Sequence, residues 1–462
     1  MSVSVSILAA GQGKRMHSDK PKVLHELAGW PMVRYVLEIA AQVSDRVPVL
    51  VVGHGAAEAR RTLGEDVVYV EQPEQLGTAH AVLRCRTNLQ GQADTILVLY
   101  GDTPLVQPDT LRRMLDHHRA TRSTVTILTF VPPTSQGYGR ILRGPDGRVL
   151  DIVEDRVATE AQKQIRECNS GILCFCDTWL WPNLAALEVS EMGEYFLTDL
   201  IARAAGQDLA VGALQVDDPS EVMGIDNRMK LAQAEQIMRQ RLNEKWMLAG
   251  VTLVDPATTY LEPGIELGQD TVILPNTHIR GTTRIGRHGV IGPNTVLTDC
   301  QIGDRCSLEA VFAEGATVED DVDVGPFAHL RAGAYLARGV HMGNFGEVKK
   351  SYLGPGTKMG HFSYIGDATI GAEVNIGAGT VTCNYDGQRK NRTIIGEGAF
   401  IGSDTMLVAP VEVGARAKTG AGSVVTHDIP ANSVAYGVPA RVHDPLAPGS
   451  PPKNEDPQKE SQ

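Results

Sequence analysis

Apolar residues return at every sixth position through the second half of the chain: Leu267, Ile273, Ile279, Ile285, Ile291 and Leu297, then Ile395, Ile401, Leu407 and Val413, with Thr419 keeping the register before Val425. That spacing is neither the 3.6-residue period of a helix nor the two-residue alternation of a half-buried strand. Glycine often follows the apolar residue, as at Ile285-Gly286, Ile291-Gly292, Ile302-Gly303, Ile376-Gly377, Ile395-Gly396 and Ile401-Gly402. This suits a short strand that must turn tightly at a fixed interval. One such unit cannot bury its apolar face alone, so the pattern predicts a parallel β-helix, a prism of stacked coils sharing one core.

The first half has a different pattern. Strand-like runs such as Val3 to Leu8, Val49 to Val52 and Thr95 to Leu99 alternate with helical stretches, which reads as an α/β domain over residues 1–226. Residues 227–250 read as a linker helix with Leu231, Ala234, Met238 and Leu242 on one side and Gly250 placed to end it. The β-helix is expected over residues 251–441. The polar, proline-rich residues 442–462 are expected to be a disordered tail.

A length of 462 residues calls for more than one core. Met1 to Met16 carries no basic region ahead of its apolar run, and no stretch is long enough to span a bilayer, so the expectation is a cytoplasmic protein that engages no membrane. The seven cysteines are scattered without metal-site spacing and read as reduced thiols. A net charge of −12 disfavours nucleic acid as a partner, and any anionic ligand must meet local clusters of Lys and Arg.

Such a cluster follows the first strand, in Ala9-Ala10-Gly11-Gln12-Gly13-Lys14-Arg15-Met16 and Pro21-Lys22. Small residues let backbone N–H groups approach a phosphate or a base, while Lys14, Arg15 and Lys22 supply positive charge. Asp102 follows an apolar run, where a carboxylate at a strand end can reach a metal that bridges phosphates; a turn-capping Asp before Thr103-Pro104 is the plain alternative. In the second half the register breaks between Ile376 and Ile395, and the polar run Cys383 to Lys390 is expected to protrude as a loop. His361 stands in Gly360-His361-Phe362-Ser363-Tyr364; on the residues alone a lone histidine of this kind is more often structural than a base.

Leu8-Ala-Ala-Gly-x-Gly-x-Arg-Met with Pro21-Lys22 resembles the opening signature of sugar-1-phosphate nucleotidyltransferases. Further matches follow in order at Gln72-x-x-Gln75-Leu76-Gly77-Thr78, Tyr100 to Leu105, Gly137 to Arg140, Val153-Glu154, Asn169 to Gly171 and Gly224 to Asn227. Joined to hexapeptide repeats, the whole chain except its tail is similar to the bacterial bifunctional enzymes that combine N-acetylglucosamine-1-phosphate uridylyltransferase with glucosamine-1-phosphate acetyltransferase. The fold class implied is a Rossmann-like α/β nucleotidyltransferase domain followed by a left-handed parallel β-helix of hexapeptide repeats.

The resemblance implies roles residue by residue. Leu8, Ala9, Ala10, Gly11, Gln72, Gly77 and Thr78 would hold the uracil and ribose of UTP, with Tyr100 and Gly101 in the same site. Gly139, Glu154 and Asn169 would hold the N-acetylglucosamine moiety. Arg15 and Lys22 would act on the phosphates, and Asp102 and Asp226 would bind Mg²⁺. The family's second metal ligand is an Asn, where this chain has Asp226 followed by Asn227, the alternative ligand. In the β-helix His361 would be the base. Arg331, Lys349, Tyr364 and Asn375 would bind glucosamine 1-phosphate, and Ala378, Asn384, Tyr385, Ser403 and Ala421 would meet acetyl-CoA. An arginine expected before the last Val-Pro is displaced to Arg441, which leaves Arg441, Lys418 and Arg416 as candidates for the CoA phosphates. A homotrimer, with acetyltransferase sites between neighbouring prisms, is also implied. The competing reading is a nucleotidyltransferase whose β-helix serves only as an oligomerisation scaffold.

Overall fold

The computed structural model describes residues 2–190 and 193–443. Contacts divide the chain into two compact units between Met238 and Arg239.

The first unit is built on a nine-stranded mixed sheet. Its strands include β1 (Val3–Ala9), β2 (Val49–Val52), β3 (Val68–Glu71), β4 (Thr95–Tyr100), β5 (Val125–Phe130), β6 (Arg140–Arg143), β7 (Val149–Val153), β8 (Cys168–Cys176) and β9 (Val211–Gln215). The order is β9-β5-β8-β4-β1-β2-β3, and β6 pairs with β7 and β8. Strands β4, β1, β2 and β3 run parallel, while β8 lies antiparallel between β4 and β5. Val3, Val5, Ile7, Leu97 and Leu99 fill one buried cluster, and Leu8, Ile96 and Val98 fill another. The strand alternation thus feeds a core on each sheet face, as burial on both sides of parallel strands requires. All seven cysteines are unpaired.

One helix, Arg228–Leu248, runs through the division between the units. Its stripe Ala234, Met238 and Leu242 is buried, and Gly250 adopts φ +92° just beyond its end.

The second unit is a three-walled prism of parallel strands. Wall one has twelve strands from Thr252–Leu253 onward, wall two has ten from Thr259–Leu261, and wall three has nine from Glu266–Leu267. Successive coils stack in register, with Val272 opposite Val290 and Val290 opposite Ser307. The sixth-position residues point inward: Ile273, Ile279, Ile291, Leu297, Ile401, Leu407 and Val413 are all 0% exposed. Thr419 holds the same register because its hydroxyl is satisfied inside the core. Its Oγ1 accepts from the Gly402 N–H at 2.8 Å and lies 3.1 Å from Thr405 Oγ1. The Ile376–Ile395 break is a loop between Val381–Cys383 and Thr393–Ile395, after which pairing resumes with Thr369 opposite Ile394.

At the far end Val434–Gly437 and Ala440–His443 form an antiparallel hairpin on wall one. The described chain therefore continues as strand for two positions past Arg441, and the rest of the expected disordered tail lies outside the described residues.

Leu330 is fully buried between Ala313 and Val348 of neighbouring coils. Leu330→Ala should cost the second unit about 2–5 kcal/mol, the usual range for an aliphatic truncation that leaves a cavity, as read by chemical unfolding.

Candidate functional site

At the carboxyl end of β1 the chain turns through Gly11 and Gly13. Gly13 has φ +63°, and a Cβ there would sit 2.5 Å from Lys22 Cβ. Its bare backbone lets the short turn Lys22–Leu24 fold against the loop. The Lys22 ammonium then bonds the carboxylate of Asp102, just past β4. The Ile225 N–H donates to the Asp102 carbonyl at 2.9 Å, which brings Asp226 to the same end of the sheet. Asp226 pairs with Arg15 at 2.7 Å and with Lys230 at 3.3 Å.

These elements enclose a cavity of about 350 Å³ lined by Leu8, Ala9, Ala10, Gly11, Lys22, Gln72, Gly77, Thr78, Tyr100 and Asp102. Every residue expected on the uracil and ribose side is therefore in one place. Gln75, Val23, Ala81 and Glu194 complete the lining. Gln75 Nε2 donates to the Ala10 carbonyl at 2.8 Å and so braces the loop. Gly77 adopts φ +103° and packs against the Tyr195 backbone, while Thr78 Oγ1 accepts from the Leu197 N–H at 3.0 Å. Burial, and then the charges of Asp102 and Glu154, push the Tyr100 phenol well above its ordinary range, so it stays a neutral donor.

Gly139, Glu154 and Asn169 also converge. A Cβ on Gly139 would lie 3.6 Å from Glu154 Oε1 and 3.7 Å from Asn169 Cβ, and the Asn169 N–H donates to the Gly139 carbonyl at 2.8 Å. Asn169 Oδ1 accepts from the Gly171 N–H at 2.9 Å, leaving its NH₂ free for a ligand oxygen. Gly171 packs on the Tyr100 ring, which joins this group to the cavity wall. Burial and the nearby Asp199 carboxylate raise the Glu154 pKa.

Two hard oxygen ligands, Asp102 and Asp226, could hold a divalent cation at this end of the sheet. That suits Mg²⁺, which keeps several waters and takes its remaining oxygens from phosphate. Among the described residues no group of three Asp, Glu, His or Cys side chains is placed to hold a metal ion by itself. Asn227 Oδ1 is occupied, accepting from the Lys230 N–H at 2.9 Å.

On the prism the expected residues fall into groups on different edges. The edge from wall one to wall two carries His361, Ala378, Ser403 and Ala421 in successive coils. They are tied by Gly379 N–H to Phe362 O at 2.7 Å, Asp404 N–H to Ala378 O at 2.6 Å and Gly422 N–H to Ser403 O at 2.8 Å. His361 is exposed. Each of these corners is narrow: a Cβ on Gly377 would meet the Ser403 nitrogen at 2.5 Å. Arg441 lies one step beyond, opposite Tyr436 in the terminal hairpin, and Tyr436 Cβ covers Gly420. Arg416 is engaged with Asn432 Oδ1 at 2.7 Å, and Lys418 stands on wall one opposite Phe400.

The edge from wall two to wall three carries Arg331, Lys349, Tyr364, Asn384 and Tyr385. Tyr364 Oη and Asn384 Nδ2 both close over Gly366, whose Cβ would lie 2.4 Å and 2.8 Å from them. Lys390 of the loop abuts Lys349, and its charge, then that of Arg331, lowers the Lys349 pKa. Three cations thus face one spot, tempered by Glu347, which accepts from Arg331 at 3.0 Å. Asn375 stands apart on wall one, between Lys358 and Phe400. The loop is held by the Asp386 carboxylate, which accepts from Gln388 N–H, Arg389 N–H and Asn391 Nδ2, each at 2.8 Å.

Lys390, Lys230 and Gln75 are the participants that sequence reading passed over. All three sit inside or beside quoted motifs, but nothing in the local pattern separates them from solvated surface residues.

A MobA-like NTP transferase domain model matches residues 5–190, and a bacterial transferase hexapeptide model of six repeats matches residues 264–299 and 392–427. The chain is 46% identical over 430 residues to "Bifunctional protein GlmU" of Heliobacterium modesticaldum, covering 93% of this chain and 94% of that one. It is 46% identical over 442 residues to the protein of that name from Pelobacter propionicus, covering 94% and 95%. With the one from Streptococcus equi subsp. zooepidemicus it shares 44% over 432 residues, covering 93% and 94%.

A methyl on Gly77 would stand 2.5 Å from the Tyr195 carbonyl oxygen. Gly77→Ala should therefore speed hydrogen exchange of the Ala79 amide, bonded to that oxygen at 3.0 Å, and of the Tyr195 amide, bonded to Leu76 O at 2.8 Å.

Proposed function

The chain belongs to the family of bifunctional GlmU proteins, and from that premise we propose how its two units divide the work. It is a bifunctional transferase. One activity acetylates glucosamine 1-phosphate with acetyl-CoA; the other joins the resulting N-acetylglucosamine 1-phosphate to UMP from UTP, giving UDP-N-acetylglucosamine, a cell-wall precursor, and pyrophosphate. The relatives' shared designation as bifunctional favours this over a β-helix that is only a scaffold.

The convergence of Lys22, Asp102, Gln72, Gly77 and Thr78 on one cavity is the observation that carries the uridylyl assignment. A phosphate oxygen of the sugar phosphate attacks the α-phosphorus of UTP as the bond to pyrophosphate breaks. The work of the protein is to align two anions that repel each other. Lys22 and Arg15 offset their charge, while Glu154 and the Asn169 NH₂ orient the sugar hydroxyls and Gly139 leaves room for the ring. Asp102 and Asp226 would hold Mg²⁺, which supplies electrophilic stabilisation of the phosphate oxygens.

For acetyl transfer, the substrate amine attacks the thioester carbonyl, His361 takes its proton, and the CoA thiolate leaves. Arg331 and Lys349, with Lys390 beside them, bind the sugar's phosphate, and Tyr364 and Asn375 orient its ring. Ala378, Ser403 and Ala421 leave space for the acyl-carrying arm, Asn384 and Tyr385 flank it, and Arg441 is our choice for the CoA phosphates. These groups lie on separate edges and walls of one chain, so a complete site draws on more than one prism. The exposed Phe345 and Phe362 beside the His361 edge supply apolar surface for that contact, which supports a homotrimer. Among the described residues no helix is long and apolar enough to cross a membrane, and we assign the protein to the cytoplasm, where UTP and acetyl-CoA are available.

His361→Ala should lower acetyl transfer roughly 10²–10⁴-fold, the usual weight of a general base, while uridylyl transfer from supplied N-acetylglucosamine 1-phosphate stays within about twofold. Equal loss of both activities in coupled and single assays would sink the assignment.

The three donors around Asp386 hold its pKa down to about 2, against an ordinary 3.8. A depressed carboxylate contributes order above its ordinary value and loses it as pH falls through its folded one. The loop is therefore fully braced at neutral pH. Asp386→Ala should raise KM for acetyl-CoA several-fold at neutral pH, and no step in the wild-type KM from pH 5 upward should trace to this group.

A further inference from the structure

Gln72 follows β3 and is 3% exposed, yet it lines the nucleotide cavity. Its Nε2 donates to the Gly77 carbonyl at 3.0 Å and lies 3.1 Å from Nδ1 of His80, one turn into the helix Thr78–Arg84. A primary amide has two N–H donors and one carbonyl. Gly77 O cannot donate, so the nitrogen must face it. With one hydrogen used there, the second is used only if His80 Nδ1 carries a lone pair. Nothing among the described residues bonds Gln72 Oε1, although Gln72 forms part of the cavity wall. Turning the amide over would set Oε1 against the Gly77 carbonyl, which can only accept, and would take both N–H groups away from it, an arrangement a buried site penalises.

We propose that His80 is a positioning residue for base selection: by accepting the second N–H of Gln72, it makes Gln72 present a carbonyl, and no donor, to the nucleobase. The proposal rests on the reading of Gln72 as a uracil contact. Uracil offers one ring donor, N3–H, between two carbonyls. Cytosine has a lone pair at N3. A carbonyl held facing that position accepts from uracil and is repelled by the cytosine ring nitrogen, and sites built to hydrogen-bond one group discriminate strongly against its absence. Gly77 cannot do this alone: its single carbonyl fixes one hydrogen and leaves the amide free to rock.

The test compares the full-length protein with His80→Leu, His80→Asn and Gln72→Ala, measuring KM and kcat for UTP and for CTP with N-acetylglucosamine 1-phosphate held saturating. Cooperative thermal unfolding of each variant, followed by circular dichroism, reports whether the first unit is folded. For His80→Leu the expected result is about a tenfold rise in KM for UTP and about a tenfold fall in the UTP-to-CTP ratio of kcat/KM, the size of one hydrogen bond. KM for the sugar phosphate should not move, and His80→Asn, whose Oδ1 can accept in place of Nδ1, should recover most of the selectivity. Unchanged selectivity in His80→Leu, or His80→Asn behaving like His80→Leu, overturns the proposal. If Gln72→Ala also leaves the ratio unchanged, the uracil-site reading itself fails; if Gln72→Ala lowers the ratio and His80→Leu does not, that reading stands and only the role of His80 falls.

Discussion

Close approach of one backbone to another is the constraint on which both units depend. In the prism, coils stack one strand spacing apart and must turn at every corner, so atoms of adjacent turns meet where a side chain would otherwise stand. A Cβ on Gly343 would come within 2.0 Å of the Gly360 carbonyl oxygen. The glycines that follow the buried apolar residue are therefore a packing requirement, and a row of bare corners is its by-product. Along one edge that row runs past Ala378, Ser403 and Ala421, the edge proposed for the acyl carrier. The same principle acts in the first unit, where Gly77 lies against Tyr195 and sets the carbonyl that anchors Gln72.

An acidic chain must still gather anions, and the two sites prepare for phosphate differently. In the first unit Lys22 and Arg15 are held by the carboxylates of Asp102 and Asp226. Charge there is nearly balanced before any ligand arrives. In the second, Arg331, Lys349 and Lys390 crowd together with Glu347 as partial relief, and Lys390, then Arg331, lowers the Lys349 pKa. A bound phosphate would relieve that repulsion, so affinity is stored as like-charge proximity.

Much of this was legible along the chain. The six-residue period identified the inward positions, including Thr419, and the motifs picked out residues that line one cavity because they lie at or just past the carboxyl ends of parallel strands of one sheet. What could not be read was contact across long separations. Nothing local marks Lys390 as the neighbour of Lys349; that depends on how the loop folds about Asp386. Gln75 looks like one more polar loop residue until its amide is seen on Ala10. The partition of the acetyltransferase residues was equally hidden. His361 and Tyr364 are three positions apart in sequence, yet one sits on the corner before wall two and the other reaches from wall two over Gly366 toward the next edge.

That partition has a genetic reading. If each acetylation centre is assembled from the His361 edge of one chain and the Lys349 edge of another, a defect belongs to an edge and not to a centre. Two alleles damaged on different edges would complement each other when co-expressed, because mixed assemblies recreate an intact centre wherever two sound edges meet. Two alleles damaged on the same edge would not complement, and an inactive allele could poison a sound one by occupying its neighbour's place. Uridylyl transfer, contained within one chain, would show neither effect.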